Sequence, residues 1–112
     1  MNIAKYPVHG AGLGLRRDFI DAAAEQSPDL VDFWEVAPEN WIGVGGSSGR
    51  LFRSLTERFP FVCHGLSLSI GSPAPLDLDF LKRLKLFLHE HCIRGYTEHL
   101  SYCSDDGHLY DL

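Results

Sequence analysis

Strand-like and helix-like patterns alternate along this chain, and the alternation restricts the fold more than any other feature of the sequence. The predicted strands, in chain order, are 10–15, 30–36, 61–66 and 96–103. Helical apolar spacing lies between each pair of strands, in units of about thirty residues. Such an order implies right-handed crossovers and a parallel sheet covered by helices. The sequence therefore predicts an α/β fold with about four parallel strands and three helices.

Two of the three helices have recognisable boundaries. Ser47 or Ser48 is expected to cap the second helix, which Pro60 closes. Its apolar face consists of Leu51, Phe52, Leu55 and Phe59. Asp77 is the expected N-cap of the third helix, which has the clearest apolar stripe in the chain. That stripe consists of Phe80, Leu81, Leu84, Phe87 and Leu88.

Length and composition indicate one folded but incomplete domain. The chain has 112 residues, of which 45% are hydrophobic and 22% charged, as in globular proteins. A unit length of thirty residues suits a doubly wound sheet or a barrel, but a closed (β/α)8 barrel needs eight strands and about 250 residues. We therefore expect residues 1–112 to form a single partial domain, with any further strands absent.

Charge, hydropathy and cysteine content exclude several classes of partner. The formal net charge of −5, with scattered basic residues, argues against a nucleic-acid partner. No apolar stretch approaches the roughly 20 residues that a membrane-spanning helix needs, and no secretory signal is visible. Three cysteines without a C-x-x-C pair are typical of free thiols in a reducing compartment. A cytoplasmic location is expected.

Polar residues that bind metals lie on or just after three successive predicted strands. The second strand ends at Glu35 and Val36 with Asn40 shortly beyond it, the third carries His64, and the fourth carries Glu98 and His99. Chemistry gathers at the carboxyl ends of parallel strands, so these side chains are expected on one rim of the sheet. Imidazole and carboxylate are ligands of Zn, Fe and Mn. We take His64 and His99 as the candidate metal ligands.

The alternation of strand faces limits how these residues can point. Glu98 and His99 cannot both face the site unless the strand ends between them or bulges. Cys63 and His64 likewise face opposite sides, so Cys63 is expected to pack under the helices. Of Glu98 and His99, one is therefore expected to be a ligand and the other a supporting or packing group.

Structural interpretations of the same residues stay open. A single histidine on a buried strand is more often a hydrogen-bonded core residue than a ligand. Glu35 could be a structural carboxylate that caps the turn at Glu39 and Asn40. His89 and His91 fall in the last turn of the third helix, where an imidazole is favoured by the helix dipole, and are interpreted as structural or solvated.

Several of these segments, in this order and spacing, resemble a known family. They are Gly12–Arg16, Glu35–Asn40, His64–Ser69, Glu98–Ser101 and Tyr110–Leu112. Together they are similar to the multinuclear non-haem iron-dependent oxidative enzymes, bacterial proteins with a barrel like that of xylose isomerase. The resemblance covers about Gly10 to Leu112, and it implies the N-terminal half of a (β/α)8 TIM barrel.

The resemblance also implies a function for the complete protein. It implies two or three iron ions at the C-terminal rim, with His64 and His99 matching family ligands and Glu98 the acidic residue beside the second. Glu35 and Asn40 match rim positions near the cofactor or the substrate. Members with assigned activity use dioxygen to modify cysteine or other residues of ribosomally made precursor peptides, together with a small peptide-recognition partner protein.

Two other hypotheses remain open from the sequence. The same barrel could carry another divalent metal and act as a hydrolase or isomerase without consuming oxygen. Alternatively, the 112 residues could be a non-catalytic fragment that associates with another chain. Because four further strands would supply the remaining ligands, we expect the fragment alone to be inactive and prone to aggregate at its exposed strand edge.

Overall fold

Four parallel strands form a single sheet, with helices in the connections between them. The structure is a computed structural model that describes residues 5–25, 29–102, 104–105 and 108–109. The strands of the sheet are β1 (Gly12–Gly14), β2 (Phe33–Val36), β3 (Phe61–Gly65) and β4 (Tyr96–Glu98). The α-helices are α1 (Ile20–Ala24), α2 (Gly46–Arg58) and α3 (Leu78–Glu90). The expected α/β fold is confirmed.

The order of the strands separates the two parallel architectures that the sequence left open. The sheet runs β1-β2-β3-β4, so each strand pairs in parallel with the next one along the chain. A doubly wound sheet reverses its strand order at a switch point, whereas a barrel adds strands in one direction. The arrangement is that of the first part of a (β/α)8 barrel.

Short elements complete the described chain. Two 3-10 turns, Arg17–Phe19 and Pro38–Asn40, follow β1 and β2 respectively. Beyond the sheet, β5 (Ser104–Asp105) and β6 (His108–Leu109) pair as an antiparallel two-stranded ribbon. No helix within the described ranges is long and apolar enough to cross a membrane.

The core lies between one face of the sheet and the helices. Phe52 of α2 is at its centre, 2% exposed and in ring contact with four other rings. Its ring stacks on Trp41 with 4.5 Å between centroids and meets Phe61 edge-on at 5.6 Å. Aromatic pairs in these geometries stabilise a core beyond the area they bury. The predicted apolar face of α2 is thus confirmed.

The two predicted helix caps have different outcomes. Asp77 caps α3 as expected, because its Oδ1 accepts a hydrogen bond from the Phe80 backbone N–H at 3.0 Å. The prediction for α2 is wrong: the helix begins at Gly46, Gly45 occupies the N-cap position without a side-chain hydrogen bond, and Ser47 and Ser48 lie inside the first turn. Gly46 has φ +64°, a conformation that glycine adopts without strain, so the chain enters the helix two or three residues earlier than predicted.

The fourth strand is shorter than its apolar pattern indicated. It ends at Glu98 and not at Cys103, a residue outside the described ranges. Glu98 is in register with Gly65, the last residue of β3, so beyond this point β4 has no neighbour on that side to pair with. His99 therefore lies just past the strand, at the carboxyl end of the sheet.

Candidate functional site

His64 lies on the face of the sheet that points away from the helices. In β3, Phe61 and Cys63 are 1% exposed and belong to the core, whereas His64 between Cys63 and Gly65 is only partly buried. His64 is in register with Thr97 of β4, and paired residues of parallel strands share a face. The predicted opposition of Cys63 and His64 is confirmed. We call this side of the sheet the inner face.

The two candidate histidines meet on this inner face. The Nε2 atoms of His64 and His99 are 3.4 Å apart, and the ring centroids are separated by 4.5 Å with a tilt of 58°. Each ring is held through its other nitrogen. His64 Nδ1 is 2.6 Å from the hydroxyl of Thr97, and His99 Nδ1 is 2.9 Å from the carbonyl oxygen of Gly65. The structure therefore brings together the two residues that the sequence singled out.

The hydrogen-bond partners assign the protonation of these rings. A carbonyl oxygen can only accept, so the Nδ1 of His99 carries its proton and its Nε2 presents a lone pair. The Thr97 hydroxyl can donate or accept, so His64 can present either a proton or a lone pair toward His99. A neutral imidazole whose far N–H is held by a carbonyl or another oxygen is the usual form of a metal-binding histidine.

The spacing of the two Nε2 atoms fits shared coordination. Two bonds of about 2.1 Å that enclose an angle of about 110° span close to the observed 3.4 Å. Imidazole suits iron as well as zinc. A complete site needs more donors, and the described part of the chain contains no group of three or more His, Cys, Asp or Glu side chains placed to hold an ion. The pair fits as part of a ligand set.

Glu98 lies on the opposite face from the histidines, at the rim. Its Oε2 accepts a hydrogen bond from the Tyr96 hydroxyl at 2.5 Å, and its Oε1 accepts one from the His99 backbone N–H at 3.1 Å. Its bond to His99 thus goes to the backbone and not to the imidazole. Burial, followed by the hydrogen bond and the charge of Glu98, raises the pKa of Tyr96, so the hydroxyl remains a donor.

Gly65 makes room for this pair. A Cβ at this position would overlap the Glu98 carboxylate and would lie 2.6 Å from the Tyr96 hydroxyl. The absence of a side chain therefore lets Glu98 fold back over the end of β3. Through this contact Glu98 holds the backbone of His99 at the level of the Gly65 carbonyl.

The other two rim candidates make no hydrogen bond to either histidine. Glu35 is exposed on the inner face of β2, in register with Val62 and so two residues nearer the start of the strands than His64. Asn40 is also exposed, and its backbone carbonyl accepts a hydrogen bond from the Arg17 guanidinium. Glu35 does not belong to the turn at Asn40, which is closed by backbone hydrogen bonds.

Glu39 is the rim carboxylate that the sequence analysis did not select. Its Oε2 accepts three hydrogen bonds: from the Leu66 N–H at 2.9 Å, the Ser67 N–H at 3.0 Å and the Ser67 hydroxyl at 2.9 Å. The turn after β2 is thereby tied to the turn after β3. Its position directly after a strand was a signal, but its partners lie 27 and 28 residues away.

Thr97 was also missed, although the period of a strand contains the signal. Residues 97 and 99 are two apart, so they share a face, and Thr97 stands in register with His64. A prediction that paired β3 with β4 residue by residue would have found it. The sequence shows alternation but not the register of two strands joined by a long crossover.

The remaining histidines near the core have a structural role or face solvent. His91 follows α3, packs against Phe52 with 4.9 Å between ring centroids and has its Nδ1 3.0 Å from the Thr56 hydroxyl. Burial, with a further contribution from the charge of Arg53, lowers the pKa of His91. His89 is exposed in the last turn of α3. The structural or solvated interpretation is confirmed for both.

A cavity of about 420 Å³ lies at the other end of the sheet from the histidines. It is bounded by the C-terminal ends of α2 and α3. Arg53 and Arg58, which line it, already donate hydrogen bonds to the carbonyls of Glu90 and Ala24. Basic side chains at the C-terminal ends of helices satisfy carbonyls that the helices leave free. The basic residues of this cavity therefore hold helix ends together, and we do not take the cavity as a second candidate site.

Comparison with known proteins gives a match over nearly the whole chain. The family model described as "RiPP precursor modification enzyme MbnB/TglH/ChrH" matches residues 10–112. A UPF0276 protein of Shewanella sediminis is 60% identical over 90% of this chain and 36% of its own length. The UPF0276 proteins of Alcanivorax borkumensis and Pseudomonas aeruginosa strain UCBPP-PA14 are each 60% identical, over 95% and 94% of this chain and 37% of their own lengths. The chain thus spans little more than a third of these relatives.

Proposed function

The chain belongs to the family of RiPP precursor modification enzymes that includes MbnB, TglH and ChrH, and on this premise we propose that its complete protein is an iron-dependent oxidase. Its substrate in this proposal is a ribosomally made precursor peptide, of which it oxidatively modifies cysteine or another residue. The observation that supports a metal-dependent reaction is the pair of Nε2 atoms, on His64 and His99, that approach to 3.4 Å at the carboxyl end of the sheet.

In this proposal His64 and His99 supply two of the ligands of one ion, and other ligands come from outside the described residues. Iron with dioxygen would supply the redox chemistry. Thr97 and the Gly65 carbonyl hold the two rings with their Nε2 atoms toward each other, so little orientational freedom is lost on binding. Glu98 supports His99 through its backbone.

The inner face of the sheet provides the surroundings for a peptide. Glu35 and Asn40 are exposed at the same edge and can bind polar groups of the substrate by hydrogen bonds. We also propose that a small partner protein presents the precursor peptide, as the resemblance of the sequence to the family implies.

The test is the metal content of the full gene product that contains this chain. Purified protein should hold iron, and His64→Ala or His99→Ala should lower the iron content by at least half. His89→Ala, which removes an exposed histidine of α3, is the matched control and should leave it unchanged. Equal iron in all four proteins would refute the assignment.

Oxygen consumption tests the reaction class. The iron-loaded protein, with a cysteine-containing precursor peptide and the partner protein, should consume dioxygen, and either histidine variant should abolish the uptake. A metal-loaded protein that turns over substrate without oxygen uptake would instead be a hydrolase or isomerase.

A further inference from the structure

One peptide group links Glu39 to His99. The carbonyl of Gly65 accepts the His99 Nδ1–H at 2.9 Å, and the N–H of Leu66 donates to Glu39 Oε2 at 2.9 Å. This carbonyl and this N–H belong to the same planar peptide unit, so its two ends are held by the two side chains. We infer that Glu39 is a positioning residue for His99, acting through the Gly65–Leu66 peptide.

The geometry makes this link directional. In a trans peptide the C=O and N–H point in opposite directions within one rigid plane, so Glu39 and His99 lie beyond its two opposite edges. Rotation of the plane would move the carbonyl away from the imidazole. The two further hydrogen bonds of Oε2, from the N–H and the hydroxyl of Ser67, resist that rotation from the next residue.

The same hydrogen bonds strengthen the grip on the ring. Hydrogen bonds in a chain polarise one another, so a carboxylate on the N–H makes the carbonyl at the other end a better acceptor. A stronger bond to Nδ1–H keeps the proton on that nitrogen and leaves the lone pair on Nε2, toward His64. Glu39 thereby specifies the tautomer that a metal ion requires.

The carboxylate has no competing task among the described residues. Its Oε1 is buried and has no hydrogen-bond partner there, so Oε2 makes all of its recorded hydrogen bonds. Removal of Glu39 would consequently act on the turn at Leu66 and Ser67 first. His64 adjoins this chain of hydrogen bonds at its far end, with its Nε2 3.4 Å from that of His99 and its Nδ1 held by Thr97.

The positioning of His99 serves metal binding only if the proposed function is right, but its first test needs no metal. Histidine labelled with 15N in the metal-free protein distinguishes the tautomers, and a His99→Gln variant assigns the signal. We expect His99 to be protonated on Nδ1 in the unmodified protein and to become a mixture of tautomers in Glu39→Ala. Glu39→Gln retains an acceptor oxygen and should restore the original signal.

A matched control separates positioning from general stability. Asp77→Ala removes the cap of α3, whose hydrogen bond goes to the Phe80 N–H and not to the site, and it should lower stability while leaving the His99 signal in place. An unchanged His99 signal in Glu39→Ala would overturn the inference. So would a Gln variant as altered as the Ala variant, because the proposed route consists of hydrogen bonds.

A titration with Co2+, followed by its visible absorption, connects the tautomer to metal binding. Glu39→Ala should weaken Co2+ binding about 10- to 100-fold, the usual effect of removing support from a ligand. If the unmodified protein binds no Co2+ while Glu39 still sets the tautomer, the proposed function fails and the positioning role stands. If Co2+ binds equally well to Glu39→Ala and to the unmodified protein, the positioning role fails and the function stands.

Discussion

Replacing Gly65 by alanine should displace Glu98, which lies on the face of the sheet opposite to the histidines. The new methyl group would occupy the space of the Glu98 carboxylate and would meet the Tyr96 hydroxyl. One of the two must move, and Glu98 is the freer because it lies at the end of β4. Its retreat would break the hydrogen bond from the Tyr96 hydroxyl to Oε2, the oxygen whose place the methyl group would take.

The magnitude follows from the contacts that are lost. Forcing a methyl group into a packed site costs about 1–3 kcal/mol. A hydrogen bond to a charged group contributes roughly 1.5–3 kcal/mol, and giving up that bond is the way in which the strain is relieved. The two figures therefore overlap and are not added. We expect Gly65→Ala to lower the free energy of unfolding by about 2–3 kcal/mol.

Urea denaturation of a small set of variants tests this reasoning. In a Glu98→Ala background only the Tyr96 hydroxyl, the far end of a side chain no longer held by Glu98, remains close to the new methyl group, so the alanine at Gly65 should cost less than about 1 kcal/mol. Gly14→Ala in β1 is the matched control, because a Cβ there meets nothing within 4 Å. It should be neutral or stabilising by about 0.5–1 kcal/mol. If Gly65→Ala costs as much in the Glu98→Ala background as in the unmodified protein, Glu98 is not the obstacle.

Three further perturbations have definite expected outcomes. Burial lowers the pKa of His91, so as the pH drops the unfolded chain binds a proton at this residue before the folded chain does. The free energy of unfolding should therefore fall as the pH drops below about 6.5. His91→Gln should weaken this pH dependence, as measured by unfolding curves at pH 8 and pH 5. Asp77→Ala should cost about 0.5–2 kcal/mol in the same measurement, whereas Ser48→Ala, which removes no cap, should cost less than about 0.5 kcal/mol. Iodoacetamide should alkylate the exposed Cys92 and spare the buried Cys63 in the folded protein, as read by mass spectrometry of tryptic peptides; equal labelling would refute the packing of β3.

Much of the fold could be predicted from the sequence because it depends on local periodicity. The spacing of Phe52, Leu55 and Phe59 defines a helix face whatever the helix packs on, and the Asp77 cap lies three residues from its partner. The start of α2 was misplaced because two serines resemble an N-cap, whereas the helix actually begins at glycines. Glycine can adopt a left-handed backbone, as Gly46 does, but its presence in a sequence does not show that it will.

The site was predictable only in outline. That His64 and His99 share a rim follows from parallel strands, and the alternation of faces correctly separated His64 from Cys63. The supports of the rings could not be found in this way. The position of Thr97 beside His64 depends on the register of β3 with β4. The Gly65 carbonyl belongs to the backbone, so no residue type in the sequence indicates its role. These features arise from pairing across a crossover of about thirty residues.

The position of Cys63 has a consequence for the resistance of such a protein to oxidative inactivation. A catalyst that brings thiols and dioxygen together is exposed to its own chemistry, and a thiolate beside the metal would be oxidised or would capture the ion. Cys63 is the immediate neighbour of His64, yet it is 1% exposed on the opposite face. Burial, with the charges of Glu39 and Glu35, raises the pKa of its thiol to about 12 and keeps it protonated. In the proposed reaction, the alternation of side chains along β3 would thus keep the Cys63 thiol away from the metal and protect it from oxidation.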